Sequence, residues 1–149
     1  MLNQFLLFLH ISSVIIWVGG MFFAYFCLRP AAVQVLEPPQ RLPLWAATFR
    51  SFFRIAAVAV VILLISGFAL FLQVGFKFAP LGWHLMMTLG LLMAGIFGHV
   101  YAVLYPRLSK HCAAAAWPAA AATLNSIRKM VGINLLLALC TVASVLLIR

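Results

Sequence analysis

Three of the chain's four histidines, His10, His84 and His99, stand inside long apolar runs, where few other side chains can change protonation or bind a metal. Neutral imidazole is a good axial ligand for haem iron and a good ligand for copper, and an ionisable residue within an apolar span is by default a candidate for function. The alternative is a neutral histidine hydrogen-bonded to a hydroxyl, an amide or a backbone carbonyl, for which Ser13, Ser66 and Asn134 are available. His111 adjoins Lys110 in a polar stretch and is expected to be solvated. Glu37, in Leu36-Glu37-Pro38-Pro39, is the one acidic residue, which excludes paired-carboxylate catalysis and the oxygen cages that hold hard cations. Cys27, Cys112 and Cys140 form no CxxC motif and are expected to be free thiols.

The spacing around the histidines is helical. At about 100° per residue, His10, Ser13, Trp17, Gly20 and Ala24 fall on one stripe, which is expected to face the inside of a bundle. Gly20 and Ala24 let another helix approach closely, and Trp17 offers a ring for stacking on a planar ligand. His84, Thr88, Leu91, Gly95 and His99 repeat the arrangement. Because His84 and His99 are about 22 Å apart along a helix axis, they cannot share one metal. His10 and His84 are predicted in the outer part of the protein, able to approach one centre. His99 is predicted in the inner half, near the level of Arg128 and Lys129 and within reach of Arg54.

A haem macrocycle needs a slot walled by small and aromatic side chains, and cations for its propionates. Gly19, Gly20, Gly67, Gly90, Gly95 and Gly98 with Trp17, Phe22, Phe23, Phe97 and Tyr101 could form walls. Arg50, Arg54, Arg128 and Lys129 could supply inner cations, whereas the outer side has only Lys77 and Arg149. Copper favours softer donors, and Met86 and Met87 beside His84, with Met21, make a possible His/Met set.

These residues are positioned by membrane-spanning helices. Hydrophobic residues make up 67% of the 149-residue chain and charged residues 7%, a composition unlike that of a soluble domain. A bilayer is crossed by about 20 apolar residues, and four runs reach that length, near 3–28, 55–74, 82–105 and 127–148. The first has no basic residue before it and no small-residue cleavage site, so it is expected to stay in the mature protein. Arg29, Arg41, Arg50 and Arg54 lie between spans one and two, and Arg107, Lys110, Arg128 and Lys129 between spans three and four or opening span four. The bias places both connections on the cytoplasmic side. The expected fold is therefore all-α, a single integral-membrane antiparallel four-helix bundle, N-out and C-out, in a bacterial inner membrane. Residues 29–50, rich in proline, are expected to form a loop partly along the membrane, and a short interfacial helix is expected near Pro118. The formal charge of +9 is confined to membrane edges without aromatic interleaving, which argues against nucleic acid and for the lipid bilayer as partner. No phosphate-binding glycine loop or nucleophile elbow is present.

Several segments together resemble the copper-resistance protein D (CopD) superfamily. They are His10-x6-Trp17-x-Gly19-Gly20-x-Phe22-Phe23, Phe52-Phe53-Arg54 with Ser66-Gly67, Gly98-His99-Val100-Tyr101, and Arg128-Lys129-x-x-Gly132-Ile133-Asn134. The first-span pattern and His99-x-Tyr101 are also similar to HemJ-type protoporphyrinogen oxidases, four-span haem b proteins. The chain departs from that group in having His84 where they carry a lysine and no Asn-Glu pair opening span four. The resemblance implies a haem-binding or copper-handling bundle with His10 as the foremost ligand and His99 next. The reading is a haem b protein in electron transfer or membrane redox chemistry, with copper binding or transport as the alternative. A haem-dependent oxidoreductase activity, a membrane redox partner or quinone, and homo-oligomerisation stay open.

Overall fold

The computed structural model describes residues 1–148; Arg149, counted above among the outer cations, lies outside the described residues. Among these residues there is helix and no strand. Four helices are long and apolar enough to cross a membrane: α1 Leu2–Val35, α2 Pro38–Val74, α3 Leu81–Ala113 and α4 Trp117–Leu147. At 1.5 Å per residue they are roughly 46–56 Å long, so their ends extend past a hydrocarbon layer of about 30 Å.

Residues 29–50 are helical apart from the turn at Leu36 and Glu37, and so do not form the expected loop. The positions of Pro30, Pro38 and Pro39 explain most of this, and Pro43 is taken inside α2. Pro30 follows a π-helical turn, Ala24–Leu28, and Pro106 follows a second, Val100–Leu104. The extra residue in such a turn relaxes the backbone where a proline ring would press on the carbonyl four residues earlier. Pro38 and Pro39 open α2, where the backbone N–H has no helical partner to lose. The helix expected near Pro118 starts at Trp117 and runs on into the fourth span without a break. α2 ends at Gly75, whose φ of 83° lies in the region glycine enters without penalty. The Gly75 carbonyl accepts from the N–H groups of Phe78 and Ala79, each at 3.1 Å, and this turns the chain into α3.

The helices associate as two tight pairs. His10 of α1 meets Leu63 and Ser66 of α2, whereas Gly20 meets Phe52, so the two helices run in opposite directions. In the second pair Gly82 of α3 meets Ser144 and Ile148 of α4, and Met93 meets Asn134. Between the pairs, the half away from the N-terminus is filled by aromatic rings. Phe49 and Phe53 stack at 4.8 Å, Phe53 meets Phe97 edge-on at 5.9 Å, and Phe97 meets Trp17 edge-on at 5.8 Å. The outward faces bear residues such as Ile15 (65% exposed) and Leu139 (70%), as a lipid-facing surface should.

Gly82 carries the closest approach of the second pair, because a methyl group there would overlap the backbone carbonyls of Ser144 and Ile148. Backbone cannot swing aside as a flexible side chain can. Gly82→Val is therefore expected to destabilise the protein by about 1–3 kcal/mol or more. At Gly95 a methyl group meets nothing within 4 Å, so Gly95→Ala should not destabilise the protein and should stabilise it by up to about 1 kcal/mol. Unfolding titrations in mixed detergent micelles compare the two; equal effects would refute the close-packed assignment of Gly82.

Candidate functional site

In the half nearer the N-terminus the two pairs leave a cleft of ≈ 690 Å³ lined by all four helices. No Arg, Lys, Asp or Glu lines it. Its polar lining is limited to His10, Tyr25, Thr141 and the indole of Trp17; the rest is aliphatic, aromatic, thioether or glycine.

His10 is held from behind by α2. Its Nδ1 lies 3.2 Å from the Leu63 carbonyl and 3.3 Å from Ser66 Oγ. A carbonyl oxygen can only accept, so Nδ1 carries the proton and donates. The Ser66 hydroxyl gives its own proton to the Ile62 carbonyl at 2.7 Å and is left to accept from His10. The sequence offered two readings of this histidine, a hydrogen-bonded core residue or a ligand, and the geometry accommodates both on opposite sides of one ring. With Nδ1–H anchored, Nε2 keeps its lone pair and has no hydrogen-bond partner among the described residues. Gly67 makes room for the ring: a β-carbon there would stand 3.0 Å from His10 Cε1 and 3.3 Å from Nδ1.

α3 contributes Met86, Met87 and Met93 to the lining of the same cleft. Met93 is buried, and its carbonyl accepts from Asn134 Nδ2 at 3.2 Å, which ties this part of α3 to α4. Met21 is also buried but borders a separate cavity of ≈ 20 Å³ rather than the cleft. That small cavity also meets Trp17 and Asn134, whose Nε1 and Oδ1 are buried without hydrogen-bond partners. It has room for about one water molecule.

Along α1, Ser13, Trp17 and Met21 are buried and His10 is half-buried, with Gly20 against Phe52, so the His10 stripe faces inward. The stripe on α3 does not: Thr88, Leu91, Gly95 and His99 are all exposed. The bundle-facing ridge is instead Met93, Phe97, Val100 and Leu104. An apolar span has no polar face from which to read its rotation, and the bulky residues that interlock with the neighbouring helices take the inside. His84 packs edge-on against Phe71 at 5.0 Å and near Phe76 at 6.2 Å, and is not among the residues lining the cleft with His10. His111 is half-buried in α3.

The cations expected to serve a bound group are also elsewhere. Arg54 is exposed and its Nε donates to the Arg50 carbonyl one turn back at 3.0 Å; Lys129 is exposed as well. Arg128 is half-buried and lines a different cavity with Arg29 and Arg41. No group of three or more His, Cys, Asp or Glu converges among the described residues, so any metal in the cleft would rely on methionine sulfur beside a single imidazole. The role of Gly67 behind the imidazole, and of Met93, went unread in the sequence. Ser66-Gly67 is a visible dipeptide, but which residue on α1 meets it depends on helix register.

A family model described as Copper resistance protein D (CopD) matches residues 46–148. The matched stretch holds Ser66, Gly67 and the three cleft methionines, while His10 and Trp17 lie before it. No curated protein and no solved structure matches the chain.

Proposed function

This chain belongs to the CopD family of copper-resistance membrane proteins, and on that footing we propose that its cleft binds copper(I), with His10 Nε2 and the thioethers of Met86 and Met87 as donors and copper as cargo. The observation that carries the reading is the fixed imidazole lining an uncharged cleft that Met86, Met87 and Met93 of α3 also line. Thioether and imidazole select a soft monovalent copper ion, and the lack of carboxylates discriminates against harder divalent ions. The cleft lies among spans whose basic connections favour a cytoplasmic position, so both termini are assigned to the outside of a bacterial inner membrane. Copper entering near the N-terminal end would meet His10 about 12 Å along α1.

A second reading is haem b on His10, favoured by the size of the cleft, ≈ 690 Å³, and by Gly67, Gly90 and Gly132 in its walls. There His10 would be the axial ligand and the iron would supply one-electron chemistry. The absence of Arg and Lys from the lining leaves propionates without cationic partners and ranks this reading second.

The test is an optical spectrum of detergent-purified protein, oxidised and dithionite-reduced, with iron and copper quantified and copper(I) titrated against a competing chelator. Stoichiometric copper(I) without a Soret band is the expected result. A Soret band with near-stoichiometric iron would replace copper by haem, and binding of neither would overturn both. Ser66→Ala removes one of two acceptors that orient the imidazole, and is expected to weaken copper(I) binding by about tenfold, the lower end for a residue orienting a metal ligand. An unchanged affinity in the same titration would mean that the Leu63 carbonyl orients the ring alone.

A further inference from the structure

A second cavity, of ≈ 250 Å³, lies at the opposite end of the bundle from His10 and is lined by Arg29 of α1, Arg41 of α2 and Arg128 of α4, together with Tyr25, Trp45 and Asn125. All three arginines are half-buried, and none of their guanidinium groups makes a hydrogen bond among the described residues. The chain's one acidic residue, Glu37, is exposed and does not line the cavity. Three arginines drawn from three helices thus border one cavity, and no acidic side chain lines it with them. Like charges gathered on a partly apolar wall repel one another, and that cost is removed when an anion sits among them. Each guanidinium offers a planar fork of donors that matches the oxygens of a phosphate. The ends of membrane-spanning helices are also where phospholipid headgroups lie.

We propose that this three-arginine cavity is a binding site for a phosphate oxyanion, carried by an anionic phospholipid or free in solution. Trp45 and Leu42 give the lining an apolar part that suits the glycerol and first methylenes of a lipid, while Tyr25 and Asn125 add neutral hydrogen-bonding groups. Tyr25 lines both this cavity and the cleft that holds His10, so an occupant here adjoins that cleft without depending on any metal in it.

The test uses the full chain in lipid-free neutral detergent, with dioleoyl phosphatidylglycerol, dioleoylglycerol and inorganic phosphate as probes, binding being read by native mass spectrometry and by the shift in unfolding temperature. Phosphatidylglycerol is expected to bind saturably and more tightly than dioleoylglycerol, which has the same chains and no phosphate. Arg41→Gln with Arg128→Gln should weaken it by about a hundredfold, the loss of two charge-assisted hydrogen bonds. Arg107→Gln with Lys110→Gln, outside the cavity, should leave it unchanged. If the first double variant loses its helical signal, Arg128→Lys decides, because it keeps the charge but not the fork and should still weaken binding. Tight binding of inorganic phosphate would identify the free ion as the source, and binding of phosphatidylglycerol alone would identify the lipid. Equal binding of dioleoylglycerol, or folded arginine variants that bind as the parent chain does, would overturn the proposal.

Discussion

His10→Ala is expected to lower copper(I) affinity by at least about a hundredfold, more than the loss of a residue that only orients a ligand, while helical content and unfolding temperature stay close to those of the parent. The size of the effect follows from the cleft's composition. His10 supplies the only imidazole in the lining, and no carboxylate or thiol is there to replace it. Stability should change little because the ring is half-buried and its hydrogen bonds go to Leu63 and Ser66, which are satisfied within α2 without it. His10→Met separates donor chemistry from shape: a thioether in place of imidazole should recover part of the copper(I) affinity, whereas His10→Leu should not. Substituting Met86 and Met87 together by Leu tests the thioether donors at nearly constant volume. Unchanged copper(I) affinity in His10→Ala would remove the cleft from consideration. Loss with His10→Ala but not with the methionine pair would leave His10 as a ligand and refute the thioether assignment.

Trp17→Ala should produce the largest loss of stability, about 3–5 kcal/mol by the usual cost of truncating a large buried aromatic. Trp17 is 2% exposed, meets Phe97 across the seam between the two helix pairs, and separates the open cleft from the aromatic half of the core. Within a bilayer, lipid tails are as apolar as the side chain, so the loss comes from dispersion contacts and from the joining of two cavities rather than from exposure to water. Trp17→Phe should cost less than half as much. It keeps a ring against Phe97 and also removes an indole N–H that is buried without an acceptor. Unfolding titrations in mixed micelles give both values. A Trp17→Ala effect below about 1 kcal/mol would show that the site relaxes freely and that the seam is not held there.

The prolines and histidines mark where the sequence could be read and where it could not. Its apolar runs indicated four spans because only helices of that length satisfy the backbone in lipid. The prolines suggested a loop over 29–50, yet Pro30 follows a π-helical turn, which cannot be seen in composition, Pro38 and Pro39 open α2, and Pro43 is taken inside it. The inward face of α1 was legible because serine, tryptophan and glycine contrast there with isoleucine and phenylalanine. The α3 stripe failed because its histidines were taken as the inward signal, whereas the bulky Met93, Phe97, Val100 and Leu104 take the inside and leave His99 exposed.

By itself, then, the sequence determined the solvent, the number of crossings, the distribution of charge and the residue types able to hold a soft metal, since each depends on local composition and run length. Tertiary structure alone decided which of those residues meet. It placed His10 on Ser66 and Gly67, opened a cleft that Met86, Met87 and Met93 line together with it, turned His99 outward, and drew Arg29, Arg41 and Arg128 to one cavity. The reason is that register and rotation between spans are set by interlocking side chains and glycine contacts many residues apart, and an apolar helix carries no polar face that announces them.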